Sequence, residues 1–136
     1  MAEEEEAPVD RLRKLLALEM VRIVEDLELR RDFLVDIWGR HRSREPFLDT
    51  LHTRWRTVGW PELGDLPTEE YVHVDLFYRE LERLRMYFQF TEDMPTTLET
   101  KLGRSMQRLE AASQRAIEAL GGLPPRPEHE LLSPWD

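Results

Sequence analysis

Two short motifs in the chain place a carboxylate three residues before a histidine: Asp49 with His52, and Glu70 with His73. On an α-helix, residues three apart share a face, and bundles that bind two iron or manganese ions use carboxylate and histidine at this spacing. Such a centre also needs glutamates from two further helices. The motifs therefore predict, as one alternative, a metal-binding bundle with a redox or storage role and these four residues among its ligands.

A simpler interpretation of the same residues competes with the metal centre. Carboxylates near a helix start interact favourably with the helix dipole, which accounts for Glu70. An acid three residues before a histidine also arises readily by chance in a chain with 28 acidic residues. We therefore prefer solvent-facing histidines near helix starts, and the prediction includes no cofactor.

A second candidate site is the segment 38–60, in which arginine and tryptophan are interleaved. Guanidinium groups and indole rings bind phosphate, stack on bases and dominate many protein interfaces. The chain carries a net charge of −9, which favours an acidic protein surface as partner and leaves a nucleic-acid-associated subunit as a second alternative. The competing interpretation is a solvated loop with Trp55 in the core. The partner-binding residues predicted here are Arg40, Arg42, Arg44, Arg54, Arg56 and Trp60.

The third candidate site is the C-terminal segment 123–136, in which prolines are followed by apolar residues. Proline-rich spacers are extended and semi-rigid, and exposed leucine and tryptophan side chains gain free energy in a groove. The segment therefore predicts a docking peptide, either for another protein or for its own bundle. Its predicted contact residues are Leu131, Leu132, Pro134 and Trp135.

Several classes of enzyme are excluded by the residues that the chain lacks. It has no cysteine, which removes disulfides, thiolate nucleophiles and cysteine-ligated metal sites. It also has no glycine-rich phosphate loop, no Gly-x-Ser-x-Gly elbow and no His-Glu-x-x-His pair. We therefore predict a non-catalytic adaptor or regulatory module in a complex with another protein, and a homo-oligomer is left open.

The elements that must position these residues are all helical. Apolar residues recur at spacings of three and four in four stretches, and the short loops between them favour antiparallel neighbours. The predicted fold is an all-α four-helix bundle with helices over about 9–38, 46–58, 68–90 and 97–120. The bundle domain spans 8–122, between an acidic tail over 1–7 and the proline-rich tail over 123–136.

The strongest helical pattern runs from Thr68 to Phe90. Its seam is Val74, Phe77, Leu81, Leu84 and Phe88, and Tyr71, Tyr78, Tyr87 and Phe90 widen its apolar face. A face this wide predicts contact with two neighbouring elements, the last helix and the first. The sequence also predicts Thr68 and either Thr96 or Thr97 as N-caps, and Gly39 as the stop of the first helix.

The cellular location follows from the distribution of apolar residues. No apolar run approaches the roughly 20 residues that a membrane-spanning helix needs. The N-terminus is acidic, unlike a signal peptide, which is basic and then apolar. These features predict a cytoplasmic protein with no membrane insertion.

Overall fold

The computed structural model describes residues 6–124, apart from the side chain of Arg56. This part of the chain contains five α-helices and one 3₁₀ turn. No strand occurs in this range, so the predicted all-α class is confirmed. The helices are α1 (Pro8–His41), α2 (Glu45–Thr50), α3 (Trp60–Gly64), α4 (Thr68–Phe90) and α5 (Pro95–Ala119), and the 3₁₀ turn is Trp55–Thr57.

The predicted helix over 46–58 is wrong, because α2 ends at Thr50 and a turn separates it from the 3₁₀ turn. Two hydrogen bonds to side chains explain the break. The hydroxyl of Thr53 accepts a hydrogen bond from the backbone N–H of Trp55 at 3.0 Å, and the N–H of Arg54 donates to the carboxylate of Glu19 at 3.0 Å. Backbone donors with such partners no longer need a helical carbonyl.

The ends of the long helices also differ from the prediction. Thr68 is the first helical residue of α4 after Pro67, and α5 begins at Pro95, so neither helix has a threonine N-cap. Proline is accepted at a first helical position because its missing N–H would be unpaired there in any case.

The first helix continues through Gly39 and ends two residues later, contrary to the predicted stop. The left-handed residue that ends it is Arg42, with φ 53°. Its guanidinium group donates to the carbonyl oxygens of Trp38 at 2.8 Å and Gly39 at 3.0 Å, which pairs carbonyls that the helix leaves free. A Cβ on Gly39 would lie 3.9 Å from Cγ of Pro95, so this glycine marks the close approach of α1 to the start of α5.

The three long helices define the architecture. Arg13 pairs with Glu70 and Glu19 with Tyr78, each at 2.6 Å, so α1 and α4 run in the same direction. Helix α5 runs antiparallel to both and packs against both. Residues 42–67 fill the remaining side between α1 and α4. The fourth member of the predicted bundle is therefore a set of short pieces instead of one helix.

The core confirms the predicted seam of α4, because all five seam residues are buried. Its neighbours are α5, the 42–67 segment and also α1, since Glu19 bonds to Tyr78 and Arg13 to Glu70. Phe47 of α2 stacks on Phe88, with ring centroids 3.9 Å apart, and Trp38 lies edge-on to both rings. The indole N–H of Trp38 also donates to the carbonyl oxygen of Asp93 at 2.9 Å, which joins α1 to the turn between α4 and α5.

Within the described range, none of the helices is both long enough and apolar enough to cross a membrane.

We expect Phe88→Ala to lower the free energy of unfolding by about 3–5 kcal/mol, because it removes a fully buried ring from the Trp38 and Phe47 contacts. Urea denaturation followed by circular dichroism measures the loss. The matched control is Phe90→Ala on the same helix, whose side chain is 72% exposed and whose loss should cost at most about 0.5 kcal/mol. Equal losses for the two variants would contradict the placement of Phe88 in the core.

Candidate functional site

The carboxylate of Glu19 joins three parts of the fold. Glu19 lies on α1, and its carboxylate accepts hydrogen bonds from the hydroxyls of Thr53 at 2.5 Å and Tyr78 at 2.6 Å. The backbone N–H of Arg54 is its third donor, at 3.0 Å. The Tyr78 ring in turn stacks on Trp55 with centroids 4.2 Å apart and planes 4° from parallel. Glu19 therefore fixes the 51–55 region against both α1 and α4.

The electrostatics of this network favour a fixed charge. Burial raises the pKa of Glu19, but the hydrogen bonds from Thr53, Tyr78 and the Arg54 N–H, together with the charge of Arg22, lower it by more. The net result is a pKa below the ordinary value of a glutamate. Burial and the hydrogen bond to Glu19 raise the pKa of Tyr78 well above its ordinary value. An ionised carboxylate and a neutral phenol are both held in one state at neutral pH, so the pair suits a structural role better than proton transfer.

An apolar groove lies beside this network, between α1 and residues 52–59. We call it the α1 groove. It consists of a cavity of about 670 Å³ and a second of about 300 Å³, which share Leu12, Leu15, Thr57 and Val58 as lining and so form one surface. Leu15 is 58% exposed and Leu18 is 39% exposed. The residues of α1 that line it are Pro8, Val9, Arg11, Leu12, Leu15, Leu16, Leu18, Glu19 and Arg22.

Charged side chains surround the apolar floor of the α1 groove. Arg22 is already engaged, since it pairs with Asp26 at 3.5 Å and donates to the backbone oxygen of His52 at 3.3 Å. Arg11 and Arg54 are exposed, and neither forms an ion pair within the described part of the chain. Two basic groups are therefore free to meet an acidic ligand.

Acidic side chains also lie at one end of the α1 groove. Glu62 and Asp65 line the smaller cavity, next to the first turn of α1. Arg11 lines the same cavity, so this end of the groove carries both signs of charge, and Arg54 lies toward the other end.

The predicted Arg/Trp site does not form one patch. Arg40 is exposed and pairs with Asp36 on its own helix at 3.3 Å, and Arg42 binds the carbonyls at the end of α1. Arg44 donates to the carbonyl oxygen of Phe88 at 2.9 Å and pairs with Glu92 at 3.2 Å. These three arginines are committed to contacts within the chain.

The other predicted partner-binding residues fall into two groups. Arg54 lines the α1 groove, and Trp60 is 80% exposed at the start of α3. The side chain of Arg56, and the tail residues Leu131, Leu132, Pro134 and Trp135, lie outside the described part of the chain. Their role in binding stays a prediction.

The structure does not bring the two carboxylate and histidine motifs together as a metal centre. Asp49 and His52 do not share a helix, because α2 ends between them. They line a cleft in which Arg22, Arg30 and Arg85 face the carboxylates of Asp26, Glu45 and Asp49. Glu70 of the second motif, with His73 one turn further along α4, is bound by Arg13 through both carboxylate oxygens, at 2.6 and 3.1 Å. Among residues 6–124, no group of three or more histidine, aspartate and glutamate side chains is arranged to hold a metal ion.

The sequence analysis predicted neither the Glu19 network nor the α1 groove. A signal for the network was present, since Glu19 lies between the buried positions Leu16 and Ile23, and a tyrosine on a buried face needs a partner for its hydroxyl. Leu15 directly precedes the buried Leu16, and the structure exposes it in the groove. Which loop faces Leu15 and Glu19 depends on contacts more than 30 residues apart in sequence.

Comparison of the chain with protein-family models, with curated proteins and with solved structures gives no significant match in any of the three.

We expect Glu19→Gln to lower the free energy of unfolding at neutral pH by about 1–3 kcal/mol, because the new amide group leaves at least one of the three donors without an acceptor. The pKa of Glu19 is depressed in the folded state, so its stabilising effect is complete above the ordinary glutamate pKa. That effect is lost as the pH falls through the folded-state pKa.

Urea denaturation at a series of pH values measures this dependence. The difference between wild type and Glu19→Gln should narrow as the pH falls below about 4.3. Glu28→Gln, an exposed position on the same helix, is the control and should change little at any pH. A difference for Glu19→Gln that stays constant down to low pH would contradict an ionised carboxylate in the network.

Proposed function

We propose that this protein is a non-catalytic helical interaction module, of the adaptor or regulatory kind, that binds a segment of another protein in the α1 groove. The observation that carries the proposal is the exposure of Leu15 and Leu18 in a groove of about 670 Å³ with an apolar floor. Apolar surface rimmed by charged groups marks interaction sites in many proteins. We place the complex in the cytoplasm, as the sequence predicts.

The shape of the groove supports a peptide segment as the ligand. One wall is a helix and the other is the 52–59 region, and grooves beside a helix bind amphipathic helices or extended segments through a row of apolar anchors. The floor is fixed by the Glu19 network, so little ordering is required of the groove itself on binding. A preformed site of this kind loses less conformational entropy when it binds.

The charges of the rim define the chemistry of the partner. Arg11 and Arg54 have no ion-pair partner within residues 6–124, and an acidic side chain beside each apolar anchor would meet them. Electrostatic complementarity of this kind orients a ligand and raises its association rate. The proposed partner therefore presents leucine, isoleucine or aromatic anchors flanked by aspartate or glutamate.

The proposal favours binding over catalysis because the carboxylate beside the groove is already hydrogen-bonded to the protein. The carboxylate of Glu19 already accepts three hydrogen bonds from protein donors. His52 is exposed at the rim, with no hydrogen bond from its imidazole within the described range. A general base needs an acceptor that can reach a substrate, and Glu19 is not free to do so.

We expect Leu15→Asp to reduce binding of the partner at least about tenfold, because it places a charge on the apolar floor. The measurement is photo-crosslinking in the native cell, with a photoreactive amino acid in place of Leu18 in the full-length chain. The matched control is Leu29→Asp, which changes an 81% exposed residue of the same helix that lines neither cavity of the groove.

Support requires more than the capture of some protein. The crosslinked peptide should carry apolar residues next to acidic ones, and its purified parent should bind the wild-type chain and not the Leu15→Asp variant. Equal yields from Leu15→Asp and Leu29→Asp would overturn the groove as the binding site.

A further inference from the structure

We propose that residues 125–136 of this chain bind in its own α1 groove and compete there with the partner, as an autoinhibitory segment. The inference rests on the proposed function, because it takes the groove to be a site for apolar and acidic peptides. It adds the identity of one such peptide and a form of regulation. Four features of the chain support it: the position of the end of α5, the length of the tail, its composition and its order of charges.

The register of α5 brings its end to the groove. A Cβ on Gly39 would lie 3.9 Å from Pro95, and a Cβ on Gly103 would lie 3.5 Å from the guanidinium group of Arg31. The step from Arg31 to Gly39 is eight residues along α1, and the step from Gly103 back to Pro95 is eight residues along α5. The two helices are therefore antiparallel, and this pairing sets their register. The same register continued to the end of α5 places Leu120 beside the turn of α1 at Lys14. The chain leaves α5 at the end of the bundle where the groove opens, next to Pro8 and Val9.

The tail is long enough to reach the groove. It has to pass round α1, because α5 and the groove lie on different sides of that helix, whose diameter is about 10 Å. Leu131 follows Pro124 by seven residues, which extend to about 23 Å at roughly 3.3 Å each. Pro124, Pro125 and Pro127 favour such an extended course.

The composition of the tail matches the chemistry that the groove requires. Leu131, Leu132 and Trp135 supply apolar anchors of the size of the cavities. In sequence, the acidic residues Glu128 and Glu130 precede these anchors and Asp136 follows them. Arg11 and Arg54 are the basic groups of the groove that have no ion pair within the described range.

The charges of the tail are also complementary to those of the rim. A tail that enters at the first turn of α1 passes Glu62, Asp65 and Arg11 before it reaches Arg54. Arg126 comes first in the tail and the acidic residues follow it. Entry from this end therefore allows Arg126 to meet Glu62 and Asp65, and the acidic residues to meet Arg54.

Covalent attachment makes even a weak contact significant. A tethered peptide acts at an effective concentration that reaches the millimolar range for short flexible links. A tail with an intrinsic dissociation constant in that range would fill a substantial fraction of the grooves, and a partner would have to displace it.

The chain has no cysteine, so one engineered disulfide can test the contact in the full-length protein. The test variant combines Leu18→Cys with Leu132→Cys. The matched control combines Leu76→Cys with Leu132→Cys. Leu18 is 39% exposed and Leu76 is 48% exposed. The hydrogen bond between Glu19 and Tyr78 places the two leucines at the same level along the bundle. Leu76 lines neither cavity of the groove.

Disulfide formation in air or with oxidised glutathione is followed by mass spectrometry and non-reducing gels. We expect the disulfide within one chain to form at least about tenfold faster in the Leu18 variant than in the control, because docking holds the two Cα atoms near the roughly 4.4–6.8 Å that a disulfide requires. Arg54→Glu added to the Leu18 variant should slow the reaction. If Leu18→Cys perturbs the fold by circular dichroism, Leu15→Cys takes its place, since that residue is 58% exposed in the same groove.

Two results would overturn the inference. Equal rates in the Leu18 variant and the control would show a tail that does not bind the groove. A disulfide-linked dimer in place of the closed monomer would show that a second copy supplies the tail. Equal rates, together with capture of a partner at Leu18 that Leu15→Asp abolishes, would remove this inference and leave the proposed function standing.

Discussion

The carboxylate of Glu19 is a constraint on which much of the structure depends, because three donors converge on it and only an acceptor can satisfy them. Two donors come from residues 53 and 54 and the third from Tyr78 on α4. The bonds end the helical course of the 46–58 segment and hold residues 53 and 54 against α1 and α4. The α1 groove is the space that this arrangement leaves open.

The far end of the bundle is held by a different kind of interaction. Trp38, Phe47 and Phe88 pack there as one aromatic cluster, and the nearby arginines bind backbone carbonyls at the ends of helices. Arg40 and Arg54 of the Arg/Trp-rich segment are exposed, whereas Arg42 and Arg44 bind within the chain. The physical reason is that helix ends present unpaired carbonyls, and a guanidinium group with five donors satisfies several of them at once.

Helix α1 is apolar on two faces, which gives the proposed function its physical basis. Residues such as Met20, Ile23 and Leu27 face the core, whereas Leu15 and Leu18 are exposed. One face of α1 stabilises the fold, and the proposed ligand would bind the other. A binding site on a helix that the core already fixes needs little reorganisation, and a tail or a partner could occupy it in turn.

The periodicity of apolar residues by itself determined the all-α class, the position of α4 and the five predicted residues of its seam, because these depend on spacing within one helix. Only the tertiary structure decided that the 46–58 segment breaks, that Arg42 and Arg44 bind helix ends, and that Glu70 pairs with Arg13. It also decided that Leu15 faces a groove. Each of these depends on a partner distant in sequence or on the geometry of a helix end, and the order of residues along one chain does not specify which donor meets which acceptor.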